Sequence, residues 1–177
     1  MTVERVANIM GGRIFSSIIP VALGFLGVLI ANFPISFVGG WVPPPLLAFM
    51  PLYFWGMVRP DLMTPFWAFV LGVLEDFLSG GPPGVWAASF LAAYFLIDRQ
   101  RDMLAGLSGI GAIVGFAVTA LVACASAYLI VSVYDWQVLP LAPVMSELAM
   151  TVFVYIFAVF VLGGIHRRLV GPLRSDF

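Results

Sequence analysis

Apolar residues run in six blocks, near 14–33, 42–58, 63–79, 84–98, 104–134 and 144–165, divided by short polar or Gly/Pro-rich punctuation. A helix that crosses a bilayer needs about 20 apolar residues, so the pattern predicts about six transmembrane helices. The third and fourth blocks are short, which predicts local thinning or partial entry. The fifth is long, which predicts tilt or projection. Pro43, Pro44, Pro45 and Pro51 fall in the second block, where they predict an irregular first turn and a kink. Carbonyls freed there need partners on neighbouring helices. Ahead of the first block, Val3, Val6 and Met10 sit at helical spacing beside Glu4, Arg5 and Arg13. That is the pattern of a short amphipathic helix on the membrane surface, or of a frayed terminus. The first block continues into a Gly/Pro-rich loop without a small-residue cleavage site and reads as a retained helix.

Composition agrees. Hydrophobic residues make up 62% of the chain and charged residues 10%, with a mean hydropathy of +1.09. A soluble domain carries about 25% charge, so this balance belongs to a chain solvated by lipid. The 177 residues leave no room for a soluble domain beside six spans. The expected organisation is one all-α membrane domain over 1–177: an interfacial or cytoplasmic segment 1–13, a six-helix bundle 14–165 and a cytoplasmic tail 166–177.

All eight basic residues are arginines. Arg5 and Arg13 precede block one, Arg59 follows block two, Arg99 and Arg101 follow block four, and Arg167, Arg168 and Arg174 follow block six. With six spans and a cytoplasmic N-terminus, every arginine lies on the cytoplasmic side. This is the positive-inside rule, and it predicts N-in, C-in topology in a bacterial inner membrane. Glu4, Asp61, Asp98, Asp102 and Asp176 accompany the arginines. Glu75, Asp76, Asp135 and Glu147 fall at or near the other ends of the helices, with no cation beside them.

The most unusual segment is Gly72-Val73-Leu74-Glu75-Asp76-Phe77-Leu78-Ser79-Gly80-Gly81-Pro82-Pro83-Gly84. It closes span three, turns and opens span four. Gly72, Asp76 and Gly80 share a helix face, so a neighbouring backbone can approach at the glycines with Asp76 in the contact. Glu75 is rotated by about 100° and faces elsewhere. Two roles stand open for Asp76: hydrogen bonds that fix the hairpin, or contact with a partner or ligand. Glu147, at the outer start of span six, is either a first-turn acid favoured by the helix dipole or part of the same outer acidic surface. Gly111 and Gly115, Ala123 and Ala127, and Ala88 and Ala92 are spaced for close helix contact.

Other chemistry finds little footing. Cys124 reads as a buried free thiol, and one cysteine and one histidine supply no metal-ligand spacing. No cofactor motif is present, nor a phosphate loop, nor a nucleic-acid footprint. Gly106-Leu107-Ser108-Gly109 with His166 resembles the serine–histidine dyad of rhomboid proteases, yet both residues fall at the cytoplasmic boundary. A third reading, a transporter subunit, would line a small-molecule pocket with Trp41, Tyr53, Trp55, Trp67, Trp86 and Trp136. Trp41, Trp86 and Trp136 also fit an outer interfacial belt.

The hairpin of Gly72, Asp76, Ser79-Gly80 and Gly84 resembles that of the bacterial rod shape-determining MreD family, with a motif-like match over residues 53–98. The Trp55 and Arg59 region and the closing His166-Arg167-Arg168 are also similar; Glu75 and Pro82-Pro83 depart from the pattern. The resemblance implies a non-enzymatic scaffold of the cell-wall elongation machinery. It implies binding to MreC and, through it, linkage of MreB and RodZ to the polymerase RodA and its penicillin-binding transpeptidase. It also implies a fold similar to the S components of energy-coupling-factor transporters, with membrane lipids around it. The partner-binding or hairpin candidates are then Gly72, Glu75, Asp76, Gly80, Gly84 and Glu147. On that reading MreC docks near the outer mouth of spans three, four and six, with basic residues opposite the acids.

Overall fold

The computed structural model describes residues 18–33, 43–104 and 110–170. The predicted N-terminal surface helix, Trp41, the Ser108 tetrapeptide and the tail from 171 lie outside them. Six α-helices and no strand occur among the described residues: α1 Ile18–Ala31, α2 Phe49–Val58, α3 Pro65–Ser79, α4 Val85–Leu104, α5 Ile110–Tyr134 and α6 Leu141–Ile165. A π-helical turn, His166–Val170, extends α6. Two stretches, Ile110–Tyr134 and Leu141–Val170, are long and apolar enough to cross a membrane.

Punctuation in the sequence becomes helix ends for identifiable reasons. Thr64 is extended and Pro65 opens α3, where a missing N–H costs nothing. Gly80, at φ +69°, ends α3 in the left-handed region that suits glycine. Three expected boundaries move. The second block is helical only from Phe49, because residues 43–46, three of them prolines, take no regular structure. Pro51 consequently falls in the first turn of α2, where no hydrogen bond is lost, and the expected kink has no cause. α4 continues through Arg99 and Arg101 to Leu104, and α6 starts at Leu141 because a first turn tolerates Pro143.

The unwound segment before α2 is held from the side. The Leu46 amide donates to Thr151 Oγ1 of α6 at 3.0 Å, so a buried backbone donor finds a side-chain acceptor. α4 is the central helix, packed against α2, α3 and α5, while α6 closes on α2 and α5. At the centre, Phe116 stacks on Tyr155 at 3.7 Å, and Phe49, Tyr53 and Phe90 fill the remaining space with tilted or edge-on contacts. Aromatic side chains thus plug the middle of the bundle.

The surface is apolar and the interior holds polar groups. Phe77 is 81% exposed and Phe160 74%, whereas Glu75, Asp76, Ser89, Thr119 and Thr151 are buried. Such an outward apolar surface is stable against an apolar surrounding and a liability in water. Ser89 and Thr119 satisfy their hydroxyls on carbonyls of their own helices. The small-residue pairs divide. Gly115, Ala123 and Ala127 are buried on α5, but Ala88 and Ala92 lie on the exposed side of α4. The inward face of α4 is carried by Ala87, Phe90, Ala93, Tyr94 and Ile97, which leaves those two alanines facing outward.

Candidate functional site

Antiparallel packing puts the α3–α4 turn, the α5–α6 turn and the end of α1 at one end of the bundle. The ends of α2, α4 and α6 lie at the other. Among the described residues every arginine belongs to that second end. There Arg59 grips Asp61 with two bonds, Nε to Oδ1 at 2.9 Å and Nη2 to Oδ2 at 2.8 Å. The hydrogen bond from Arg59 holds the Asp61 carboxyl below the ordinary carboxylate range, with burial opposing it. Arg101 pairs with Asp98 at 3.1 Å and donates to the Gly56 carbonyl at 3.1 Å, tying α4 to α2. His166 sets its ring edge-on to Phe54, 6.1 Å between centroids.

At the acidic end the α3–α4 hairpin is built around Asp76. Its Oδ1 accepts the Trp86 amide at 2.7 Å, and its Oδ2 accepts those of Gly84 at 3.0 Å and Ala87 at 3.1 Å. A helix leaves its first amides without intrahelical partners, and here the acid of the preceding helix supplies acceptors for α4 across the turn. Gly72, one turn below, makes that closeness possible: a Cβ there would lie 2.5 Å from Ala87 Cα and 2.6 Å from the Trp86 carbonyl oxygen. The other two glycines serve differently from the expectation of a shared contact face. Nothing approaches within 4 Å of a Cβ at Gly80 or Gly84. Their φ values of +69° and +93° are what the turn requires.

Glu75 is buried beside Asp76, on the same broad inward face of α3, and turns toward α1. Asn32 Nδ2 donates to Glu75 Oε1 at 2.8 Å and to the Val28 carbonyl at 3.0 Å, so one amide caps α1 and satisfies the acid. Sequence reasoning left Asn32 out. Its signal is a polar residue just past an apolar block, level with the acids.

Beside the hairpin lies a cavity of about 180 Å³, walled by the α3–α4 turn, the end of α5 and the start of α6. Its lining includes Trp86, Cys124, Tyr128, Asp76 and Glu147. Tyr128 Oη donates to the Leu139 carbonyl at 3.0 Å, which holds the α5–α6 turn against this wall. Glu147 sits two turns into α6, past the reach of a first-turn dipole role, and no hydrogen bond to its carboxyl occurs among the described residues. Thus the structure brings Asp76 and Glu147 to one cavity. Glu75 is directed to another neighbour, and the three glycines have backbone roles.

The chain matches no family model, no curated protein and no solved structure.

Chemically, the cavity offers apolar and aromatic walls with two carboxyl groups and no basic residue. Asp76 already accepts three hydrogen bonds; Glu147 accepts none from the described residues. Among the described residues no cluster of three His, Cys, Asp or Glu side chains is arranged to hold a metal ion.

Proposed function

We propose that this chain is a multi-pass scaffold of the bacterial inner membrane, of the MreD type, which couples MreC to the cell-wall elongation machinery without catalysing a reaction. The observation that carries the proposal is the α3–α4 hairpin. The residues behind the resemblance, Gly72, Asp76, Gly80 and Gly84, form one locked turn with an acidic cavity beside it. A rigid hairpin at the end away from the arginines is a surface suited to docking another membrane protein. The apolar exterior and the segregation of arginines to one end support the inner membrane and the N-in, C-in orientation.

The transporter-subunit reading draws less support. The cavity beside the hairpin, about 180 Å³, is smaller than the about 300–1,000 Å³ of small-molecule sites. The larger hollow of about 650 Å³ lies at the arginine end, along α6 and its π-helical turn, away from the acids. The bundle centre is filled by stacked aromatics.

Affinity capture of the detergent-solubilised full chain from a rod-shaped bacterial host, read by mass spectrometry, tests the proposal. Recovery of MreC with RodA or the penicillin-binding transpeptidase is the expected result. Recovery of an ATPase pair with its coupling membrane subunit would replace the scaffold with a transporter.

A further inference from the structure

We infer that the cavity beside the α3–α4 hairpin receives a single basic side chain, an arginine before a lysine, from the segment of the partner that emerges at this end of the bundle, with Glu147 as its counter-ion. The inference rests on the scaffold reading for the identity of the partner. The chemistry of the cavity stands apart from that reading.

Size comes first. The 180 Å³ of space equals the share of about six liquid waters, the scale of one long side chain and short of a cofactor. Charge comes second. Two carboxyl groups line a mostly apolar cavity that has no basic residue in its walls. Asp76 is engaged by the amides of Gly84, Trp86 and Ala87, but Glu147, which lines the cavity, has no donor among the described residues. A carboxyl partly removed from water without a donor favours an incoming cation, and the bundle's described arginines all lie at the opposite end. No described residue of this chain supplies the counter-charge, and its proposed source is another chain.

The walls choose between cations. Trp86 and Tyr128 present aromatic surface, and the Tyr128 hydroxyl is already committed to Leu139. A guanidinium is weakly hydrated, stacks on aromatic faces and bonds a carboxylate through two parallel N–H groups. An ammonium keeps more of its hydration and has no planar face to stack. Location completes the case. The cavity opens between the α3–α4 and α5–α6 turns, where a partner helix leaving the membrane beside α3, α4 or α6 would present its first extramembrane residues. Basic residues placed at such a boundary reach sideways readily, because their long stems lie along apolar surface.

Cys124, the chain's one cysteine, lines the cavity and serves as a native reporter. In nanodiscs, the full chain is treated with a trimethylammonium-bearing or a sulfonate-bearing methanethiosulfonate. Each rate is normalised to that of a free thiol in solution. The cationic reagent is expected to be favoured about tenfold, the scale of counter-ion focusing in a cleft of one sign, and Glu147→Gln should remove most of that preference. Because Cys124 is only 2% exposed, the pair of reagents is also applied to Val131→Cys on a Cys124→Ala background, nearer the mouth. Equal rates, a preference untouched by Glu147→Gln, or no modification at either position overturns the inference.

Docking is read separately, by capture of purified MreC on the immobilised full chain. Glu147→Gln and the chain carrying the cationic adduct are each expected to bind about tenfold less, the scale of one lost charge pair, with unfolding temperatures unchanged. Undiminished capture by both, with charge preference intact, refutes the occupant and leaves the scaffold reading standing. If the wild-type chain captures no MreC, the scaffold reading falls and the proposed occupant with it.

Discussion

Two helical hairpins meet at the acidic end of this bundle, and they are held in opposite ways. In α3–α4 the turn is locked from within: Asp76 accepts three amides, Gly80 and Gly84 adopt left-handed backbone, and Gly72 lets the helices touch. In α5–α6 the turn over 135–140 relies on one side-chain bond, Tyr128 to Leu139, and two backbone bonds. Its tip, Trp136, is 91% exposed and sits at φ +54°, a conformation unfavourable for a residue other than glycine. The difference divides the labour of two similar acids. An aspartate whose oxygens are occupied by its own backbone builds a fixed wall. A glutamate with no donor among the described residues, on the less constrained hairpin, is available to an outside group. Position at the acidic end of a span is common to both, so position alone does not separate structure from recognition.

Removing the lock should break the contrast most completely. Asp76→Ala leaves the amides of Gly84, Trp86 and Ala87 without acceptors, and we expect a loss of about 3–5 kcal/mol, since each buried unpaired group costs about 1–3. Asp76→Asn, which keeps one acceptor oxygen, should recover part of it. Denaturant unfolding in mixed micelles measures both, and a variant as stable as wild type would remove Asp76 from the lock.

Gly72→Ala should come next. Its methyl group would fall 2.5 Å from Ala87 Cα, on backbone that cannot swing aside. Overpacking of this kind costs about 1–3 kcal/mol, and the same unfolding assay should register it.

On the looser hairpin the expected effects are smaller. Tyr128→Phe deletes the bond to Leu139 and should cost about 1 kcal/mol. Hydrogen exchange should rise at the α5–α6 turn and stay unchanged at α3–α4. A rise spread over both hairpins would mean that they do not behave as separate units.

The smallest effect is expected at the opposite end and serves as a control on acid sensitivity. Because Arg59 lowers the folded-state pKa of Asp61, this pair contributes stability above the ordinary carboxylate pKa. The contribution is lost as pH falls through the lowered value. The Asp61 side chain is 42% exposed, so solvent screens the pair and the contribution is slight. Asp61→Asn should flatten that part of the acid limb of a stability–pH curve; an unaltered limb would show that the pair contributes nothing measurable.

Much of the helical layout follows from the chain alone. The order of helices, their approximate limits and the segregation of arginine from unpaired acid are set by runs of apolar residues and by where prolines, glycines and charges interrupt them, all local properties. The Gly72, Asp76, Gly80 periodicity likewise marks α3–α4 as an unusual hairpin in the sequence itself. What a side chain meets across the bundle is another matter. Sequence spacing gave Gly72 and Gly80 one role, but packing gives Gly72 a close backbone contact and Gly80 an open left-handed turn. Glu75 and Asp76, adjacent and chemically alike, are turned by tertiary structure to Asn32 on one side and the α4 amides on the other. Leu46 and Thr151 are 105 residues apart and meet only because α6 passes the unwound start of α2. Helix formation is decided within a turn or two of chain. The partner of a buried polar group is decided by whichever distant segment arrives beside it, and that choice appears only in the folded bundle.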